Sequence, residues 1–490
     1  MTERGREPET IETHISILVF LGEVVLKFRK PLRFDFLDLT SLEARELDCY
    51  REVELNRRLA PDVYLGVAEV TEGGRTLDHA VHMRRLPTAR SLAELVRNAP
   101  RSVWVSELGR VAEVLGRFHS GAPRSDEISL HATPHALKDA FELDVDAIRP
   151  FLGDVIDARV HEGIVLAVRR YIDGRAPLFA ERIDSGHVCD GHGDLQANDI
   201  YCLDDGPRIL DCLEFDEALR CVDVVADIAF LAMDLERIGS PEAASVFEKS
   251  YERFAGEGLP QSLLDLYIAL RAHVRLKIAC IRFAQGDARS AAEAQRLLSI
   301  ATSHLERAEV RAILVGGLPG TGKSTLASQL GAEIGAEVLR SDEVRRHLLG
   351  AEGVQIHGYR EGRYTREMTR LVYSELLRRA EEHLSMGRSV VLDASWTDAV
   401  SRRSAKALSE KCFAKLTELR CSAPPGVTER RIIERLQRGD DMSEATVEVA
   451  RAMSVSEDDW PSAINVDTST DSRDSLARAL ASISGPSSPA

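Results

Sequence analysis

The 490-residue sequence contains no apolar run that approaches the roughly 18 residues of a membrane-spanning helix. Its eight cysteines are scattered, without a Cys-x-x-Cys pair or the ligand spacing of a zinc motif, which argues against a zinc module or a disulfide scaffold. The first residues are polar and of mixed charge, so we also expect no signal peptide. These absences predict a cytoplasmic protein with reduced, mostly structural thiols and no membrane partner.

An excess of positive charge is missing as well. The net charge is −16, and residues 306–490 hold 26 Lys and Arg against 28 Asp and Glu, which leaves −14 for residues 1–305. At about 150 residues per domain, the length allows two or three domains. We expect two, 1–305 and 306–483, followed by a disordered tail at 484–490. The charge of the first domain disfavours a polyanionic partner and favours a cationic or neutral one.

A phosphate-binding loop is the most specific motif in the sequence. Residues 317–324 match G-x-x-x-x-G-K-[ST] and stand between an apolar strand at 312–315 and a helical stretch at 325–330. In such a loop backbone amides surround the phosphates, Lys323 reaches the outer phosphates and the Ser324 hydroxyl can ligate Mg²⁺. We therefore predict that the chain binds ATP and Mg²⁺. The predicted nucleotide-binding residues of the loop are Gly317, Leu318, Pro319, Gly320, Thr321, Gly322, Lys323, Ser324 and Thr325.

Two acids follow later strands of the C-terminal domain. Asp342 comes after the strand at 337–340 and could accept the proton of an attacking hydroxyl, with Arg345 close behind it to neutralise phosphate charge. A plain helix N-cap is an equal alternative for Asp342. Asp393 ends the apolar strand at 388–392 and fits a Mg²⁺ ligand.

An arginine-rich helix follows at about 428–439. Arg431, Arg435 and Arg438 are spaced by four and three residues, so they share one helix face. Arg431 and Arg435 are candidates to stabilise charge on a transferring phosphoryl group. A solvated helix face is the alternative interpretation.

These C-terminal features resemble the superfamily of P-loop small-molecule kinases, which includes gluconate kinase, zeta-toxin kinases and polynucleotide 5′-hydroxyl kinases. The resemblance spans residues 310–470 and implies an α/β P-loop NTPase domain with a parallel sheet, in which Asp342 serves the acceptor. The segments 340–342 and 393–396 look particularly like the polynucleotide kinases. Nucleic acid is nevertheless an unlikely substrate, because this domain is near neutral and lacks a basic stripe interleaved with aromatic residues.

The N-terminal domain carries a second candidate site. Asp194, in His192-Gly-Asp194, precedes a predicted hairpin of strands 200–203 and 208–210 that ends at Asp211. The hairpin brings the two acids together, so that Asp194 can act on an acceptor hydroxyl and Asp211 can hold Mg²⁺. Upstream, Lys27 in a strand and Glu52 in a helix are expected to pair and to position the ATP phosphates. The alternative is that this acidic segment is a loop with no catalytic role.

Two further expectations concern downstream segments. Asp227, early in a helix, is expected to brace the catalytic loop through hydrogen bonds. Residues 261–305 are expected to form a helical hairpin in which Arg271, Arg275 and Lys277 are exposed cations.

Residues 10–300 resemble the aminoglycoside phosphotransferase-like kinase family, specifically an uncharacterised group in which that domain is fused to a P-loop kinase. The resemblance is carried by the segments 12–16, 55–61, 81–85, 191–194 and 211–216. It implies an α+β protein-kinase-like N-terminal domain with Asp194 as the base. The family pattern would place His at 196 and Asn at 199, whereas this chain has Gln196 and Asp199, so Asp199 becomes a candidate Mg²⁺ ligand through its oxygen atoms.

The sequence therefore predicts a two-domain, ATP-dependent phosphotransferase that acts on hydroxyl groups of small molecules, either sugars or aminoglycoside-like compounds. Two alternatives stay open. The N-terminal domain could be an inactive pseudokinase that senses nucleotide, and the C-terminal domain could be a 5′-hydroxyl polynucleotide kinase. No protein partner can be inferred from the sequence.

Overall fold

The computed structural model describes residues 9–13, 15–34, 37–256, 258–349, 365–438 and 445–483. The chain divides into two compact units. The N-terminal unit comprises residues 1–168 and 179–308, and the C-terminal unit comprises residues 309–490 together with the short segment 169–178. No described helix is both long and apolar enough to cross a membrane.

The N-terminal unit begins with a five-stranded antiparallel sheet of order β1-β2-β3-β7-β6. Short two-stranded pairs, β4 with β5, β8 with β11 and β9 with β10, follow along the chain. Its strands are β1 Glu9–Glu12, β2 Ser16–Leu21, β3 Val24–Arg29, β4 Arg33–Phe34, β5 Leu37–Asp38, β6 Tyr64–Glu72, β7 Arg75–Arg84, β8 Val188–Asp190, β9 Ile200–Leu203, β10 Gly206–Ile209 and β11 Cys221–Asp223.

Helices make up most of the rest of the N-terminal unit. The helices that start before residue 309 are α1 Leu42–Asn56, α2 Leu92–Asn98, α3 Arg101–Gly121, α4 Asp126–Leu130, α5 Pro134–Ile148, α6 Ala158–Gly174, α7 Ala176–Asp184, α8 Val224–Arg237, α9 Pro241–Ala255, α10 Gln261–Ala284 and α11 Ser290–Ala308. The helical hairpin predicted for residues 261–305 is formed by α10 and α11. Residues 169–178, which belong to the C-terminal unit, span the end of α6 and the start of α7.

Helix α1 packs on one face of the antiparallel sheet. Period-two alternation in β3 turns Val25 inward, and this side chain belongs to one buried cluster with Cys49 and Val53 of α1 and with Val81 and Met83 of β7. The Ser41 hydroxyl caps α1 by accepting from the Ala44 amide at 3.1 Å. This packing fixes the position of α1 relative to β3. It therefore also fixes the side chains that α1 directs toward that strand.

The C-terminal unit is built on a parallel five-stranded sheet of order β13-β14-β12-β15-β16. Its strands are β12 Arg311–Gly316, β13 Glu337–Arg340, β14 Val390–Asp393, β15 Lys415–Ser422 and β16 Ile464–Asp467. Its helices are α12 Lys323–Ile334, α13 Ser341–Leu349, α14 Arg366–Ser385, α15 Ala399–Lys411, α16 Pro425–Arg438, α17 Val447–Val455 and α18 Ser472–Ile483. The predicted classes are confirmed, a protein-kinase-like α+β fold followed by an α/β P-loop fold.

Helices α12 and α18 contribute to the core of the parallel sheet. Ile313 and Val315 of β12, buried completely, cluster with Leu326 and Leu330 of α12 and with Ala479 of α18. Strands covered in this way read as continuous apolar runs, which is why 312–315 and 390–392 stood out in the sequence. Ligands of such sheets bind beyond the carboxyl ends of the strands, where the order of strands reverses. That edge is formed here by the ends of β12, β13 and β14.

The eight cysteines are all buried free thiols. Burial raises the pKa of several of them, for example that of Cys189 and of Cys421 to about 12. The expectation of reduced structural thiols agrees with this arrangement.

Candidate active sites

The phosphate-binding loop lies between the end of β12 at Gly316 and the start of α12 at Lys323. Gly320 has φ 81°, and a Cβ atom there would stand 2.6 Å from the Thr428 carbonyl oxygen, so only glycine fits at this point. Gly322, with φ 80°, forms the left-handed N-cap of α12. The loop therefore turns the N-terminus of α12, with its unpaired amides, toward the space where an anion would bind.

Asp393 stands at the end of β14, level with Val315 of β12 and Arg340 of β13 in the sheet register. The residue is 4% exposed, and its Oδ1 atom is buried without a hydrogen-bond partner among the described residues. Burial raises the pKa of this carboxyl, opposed by the charge of Lys323 and a hydrogen bond with Ser324. An orphaned carboxylate oxygen beside a serine hydroxyl is the donor set that suits Mg²⁺.

Asp342 lies in the first turn of α13, next to the same strand ends. Its Oδ1 atom accepts from Arg345 Nη1 at 2.5 Å. Both side chains line a cavity of about 980 Å³ that also includes Lys323 of the loop. The helix begins at Ser341, so Asp342 sits inside it rather than at the N-cap.

Helix α16 places one of its two candidate arginines at the phosphate-binding loop. Arg431 Nη2 donates to the Thr468 carbonyl at 2.8 Å, and its Nη1 lies 3.5 Å from the Gly320 carbonyl. Arg435 points elsewhere, with Nη2 donating to the Ala445 carbonyl at 2.6 Å. The side chain of Arg438 and the tail at 484–490 lie outside the residues that the structure describes in full.

In the N-terminal unit, the predicted pair of Lys27 and Glu52 is formed. Lys27 Nζ lies 2.8 Å from Glu52 Oε1 and 2.7 Å from Asp211 Oδ1, so one ammonium group joins β3, α1 and the end of the β9–β10 hairpin. Burial opposes the charge of Lys27, but the two carboxylates raise its pKa well above the usual value. Lys27 in turn lowers the pKa of Asp211. Asp211 adopts φ 63°, a left-handed conformation that aspartate tolerates better than most residues.

Asp194 lies in the loop after β8. Its Oδ2 accepts from Gln196 Nε2 at 2.9 Å, so the glutamine that replaces the family histidine contacts the candidate base directly. Burial raises the pKa of Asp194 to about 6, with Arg275 lowering it and Asp211 raising it. A carboxyl whose pKa is close to neutral is suited to accept and release a proton.

Asp199 is placed near both of the other acids. Burial and the charges of Asp211 and Asp194 raise its pKa well above the usual value. Among the described residues, however, no three His, Cys, Asp or Glu side chains stand close enough to hold a metal ion by themselves. A divalent cation in either unit would therefore draw further ligands from phosphate oxygens and water, as Mg²⁺ commonly does.

The catalytic-loop candidate is braced as the sequence predicted. Asp227 accepts from the backbone amides of His192 at 2.7 Å and Gly193 at 2.9 Å. Burial opposes its charge, but His119 Nε2, at 3.1 Å, and the His192 amide outweigh burial and lower the pKa of Asp227. An ionised, fully buried acid thus fixes the backbone that carries Asp194.

Sequence reasoning missed Arg29. Its guanidinium is buried and contacts Ser16 Oγ at 2.8 Å, Asp48 Oδ2 at 2.5 Å, Glu52 Oε2 at 2.7 Å and Glu214 Oε1 at 2.5 Å. Burial raises the pKa of Glu214 to about 7, against the opposing charge of Arg29. The spacing of two residues from Lys27 could have indicated that both cations share one face of β3. Arg29 therefore fixes Glu52 from the side opposite Lys27.

The expectation that Arg271, Arg275 and Lys277 are exposed was wrong. All three are partly buried on α10, because this helix is surrounded by α5, α8 and α11 rather than lying at the surface. Lys277 contacts Asp144 of α5. Arg271 Nε lies 3.3 Å from the Ala226 carbonyl, and its guanidinium carbon lies 5.1 Å from the centre of the Phe230 ring.

Comparison with known proteins finds similarity in both halves of the chain. A family model described as an AAA domain matches residues 313–457. An uncharacterized protein of Mycobacterium tuberculosis is 40% identical over 464 residues, which cover 93% of this chain and 91% of the relative, and one of Mycobacterium bovis matches equally. This chain belongs to the family of these mycobacterial proteins. As the resemblance predicted, the chain joins an aminoglycoside phosphotransferase-like fold to a P-loop kinase-like fold.

Solved structures are similar to each half separately. The GDP and kanamycin complex of APH(2″)-IIia is 16% identical with a TM-score of 0.40, covering 61% of this chain and 93% of that one. An unliganded sugar kinase from Janibacter is 19% identical with a TM-score of 0.28, covering 36% of this chain and 94% of that one.

Proposed function

We propose that each unit binds ATP with Mg²⁺ and transfers the γ-phosphoryl group to a hydroxyl group of a small molecule. The observation that carries the proposal is the phosphate-binding loop of the C-terminal unit. The loop is backed by Asp393 with its orphaned buried oxygen and faces a cavity that Asp342 lines. A loop for phosphates, an oxygen site for a cation and an acid beside an open cavity are the parts that phosphoryl transfer needs.

In the C-terminal unit we assign the loop residues and Lys323 to the nucleotide phosphates, and Ser324 and Asp393 to Mg²⁺. Bound there, Mg²⁺ would neutralise charge on the phosphates. Asp342 accepts the acceptor hydroxyl proton as that oxygen bonds to the γ-phosphorus, while the bond to the β-phosphate oxygen breaks and ADP leaves. Arg431 is assigned to the transition-state charge because it already contacts the loop. Arg435 is a weaker candidate, since its guanidinium is directed to Ala445.

In the N-terminal unit we assign Asp194 as the base and Asp199 and Asp211 as oxygen ligands for a cation. Lys27, held by Glu52, is assigned to the phosphates. Its present contact with Asp211, at 2.7 Å, must be exchanged for phosphate oxygens when nucleotide binds. The charge on Asp211 would then be taken up by the cation.

A second candidate function for the N-terminal unit is nucleotide sensing without turnover. The observation that favours it is the contact of Gln196 with Asp194, because an amide donor on the candidate base lowers its availability to a substrate hydroxyl. If the N-terminal unit only senses nucleotide, it binds nucleotide, and a change of Asp194 removes no phosphorylated product.

The test is a comparison of three proteins by mass spectrometry. The full chain, Lys323→Ala and Asp194→Ala are incubated with MgATP and a small-molecule cell extract, and phosphorylated products are identified. Two sets of products, each lost in one variant only, are expected. Loss of all products in Lys323→Ala alone would assign the N-terminal unit to sensing, and an unchanged product set in both variants would overturn the proposal.

A further inference from the structure

Helix α10 brings two arginines to the loop that carries Asp194. Arg271 is anchored at the start of α8 by its contacts with the Ala226 carbonyl, at 3.3 Å, and with the Phe230 ring. The next residue of α8, Asp227, holds the amides of His192 and Gly193. Arg271 therefore lies beside the helix turn whose Asp227 fixes the backbone of the candidate catalytic loop.

Arg275 follows one helical turn later, on the same face of α10. Burial raises the pKa of Asp194, and the charges of Arg275 and Arg271 both lower it. The two guanidinium groups are thus close enough to the Asp194 carboxyl to influence its charge.

Neither arginine has a carboxylate within salt-bridge distance in the described part of the chain. Arg275 Nε is buried and has no hydrogen-bond partner there. The neighbouring acids already have other partners, since Asp227 is engaged by His119 and two amides, and Asp144 by Lys277. Asp194 itself accepts from Gln196. Two partly buried cations without a paired carboxylate favour the binding of an anion, because burial of unpaired charge is costly.

We infer that the hydroxyl acceptor of the N-terminal unit carries an anionic group, a carboxylate or a phosphate ester, that Arg275 and Arg271 bind beside Asp194. This inference rests on the proposed kinase function of that unit. The planar guanidinium fork matches both oxyanions, and a polycationic acceptor such as an aminoglycoside would be repelled at the same position. The proposal differs from the expectation drawn from net charge, which favoured a cationic or neutral partner.

The test uses the full chain with Lys323→Ala, so that the C-terminal loop is silenced. A small-molecule cell extract is separated on an anion exchanger into a retained anionic fraction and an unretained neutral and cationic fraction, and each is incubated with MgATP. Products that disappear on Asp194→Ala are assigned to the N-terminal unit. Prior treatment of the anionic fraction with a phosphatase, removed before the assay, distinguishes phosphate esters from carboxylates.

The matched variants are Arg275→Gln and Arg282→Gln, which remove the same charge from the same helix. Arg282 is exposed, whereas Arg275 is partly buried. We expect Asp194-dependent product from the anionic fraction only. We also expect Arg275→Gln to raise KM for the acceptor about tenfold or more, as the loss of a charge-assisted hydrogen bond implies, with KM for ATP unchanged. Arg282→Gln should match the parent protein.

Three results would overturn the inference in different ways. Asp194-dependent product from the unretained fraction alone would show a neutral or cationic acceptor. A rise in KM for ATP rather than for the acceptor would assign Arg275 to the nucleotide. The absence of Asp194-dependent product from both fractions would instead defeat the proposed kinase function on which the inference rests.

Discussion

The two units hold their candidate phosphate lysines in opposite states. In the N-terminal unit Lys27 contacts the carboxylates of Glu52 and Asp211, so its charge is already balanced. In the C-terminal unit Lys323 forms no salt bridge with any residue that the structure describes, and backbone amides at the start of α12 add to its attraction for anions. Under the proposed function, Lys323 can bind phosphate directly, whereas Lys27 must first exchange an ion pair.

The two candidate phosphate sites are built in different ways. Glycine conformations fix the C-terminal loop locally, within one turn between a strand and a helix. The N-terminal site depends on side chains brought together from β3, α1 and the β9–β10 hairpin, up to 184 residues apart.

The largest effect should come from Asp194→Asn, which removes the proton acceptor but keeps the shape. We expect N-terminal turnover to fall by about 10²–10⁴, the usual contribution of a general base. Nucleotide affinity, measured by calorimetry in Lys323→Ala protein, should stay nearly constant. Asp204→Asn, at the almost fully exposed turn of the hairpin, is the control and should change neither quantity. Undiminished turnover in Asp194→Asn would exclude Asp194 as the base.

Lys323→Ala should reduce C-terminal turnover by about 10²–10³, because one preorganised cation is lost from the transferring phosphoryl group. The exposed Lys406 on α15 provides the control, Lys406→Ala. Products assigned to the N-terminal unit should be unaffected by either change. Should Lys323→Ala leave C-terminal products intact, the lysine does not serve the nucleotide.

Arg29→Met should destabilise the N-terminal unit by about 3–5 kcal/mol, since three acids lose the partner that compensates their burial. Arg33→Met, which removes a largely exposed arginine four residues later, should have no measurable effect. Urea unfolding followed by fluorescence and circular dichroism gives the comparison. Equal midpoints for the two variants would show that the buried network does not hold the unit together.

The smallest effect should be a pH dependence confined to the N-terminal unit. The pKa of Asp194 is raised to about 6, chiefly by burial, so the carboxylate form that accepts a proton predominates above pH 6 and is lost below it. We expect turnover to fall about tenfold between pH 7 and pH 5. Because Arg275 lowers this pKa, Arg275→Gln should move the fall to higher pH, with Arg282→Gln as the control. The nucleotide titrates identically in the parent protein and in both variants. An unchanged pH profile in Arg275→Gln would therefore contradict the influence of Arg275 on Asp194.

The sequence was informative wherever a motif is local or has a fixed order. The glycines and Lys323 occur within eight residues, and the hairpin between Asp194 and Asp211 follows from apolar runs around a turn. The pairing of Lys27 with Glu52 followed from the order of a strand and a helix. These features depend on short stretches of chain, and the structure has the elements where they were expected.

Long-range burial was not accessible in the same way. Arg271 and Arg275 carry the same charges as any surface arginine, and their partial burial depends on helices that pack around α10 from distant parts of the sequence. The contact of Arg29 with Glu214 joins residues 185 positions apart. Net charge is equally uninformative about a single site, because it averages over a domain and does not report which cations stand next to a given carboxylate.

The burial of every thiol has a practical consequence for spectroscopy. Maleimide dyes react with the thiolate, and a pKa near 12 leaves almost none at neutral pH for thiols such as Cys189 and Cys421. One cysteine introduced at an exposed position, by Glu72→Cys in the first unit or Lys406→Cys in the second, should accept a fluorophore selectively without removal of any native cysteine. Each unit could then carry its own dye in protein that keeps all of its native thiols.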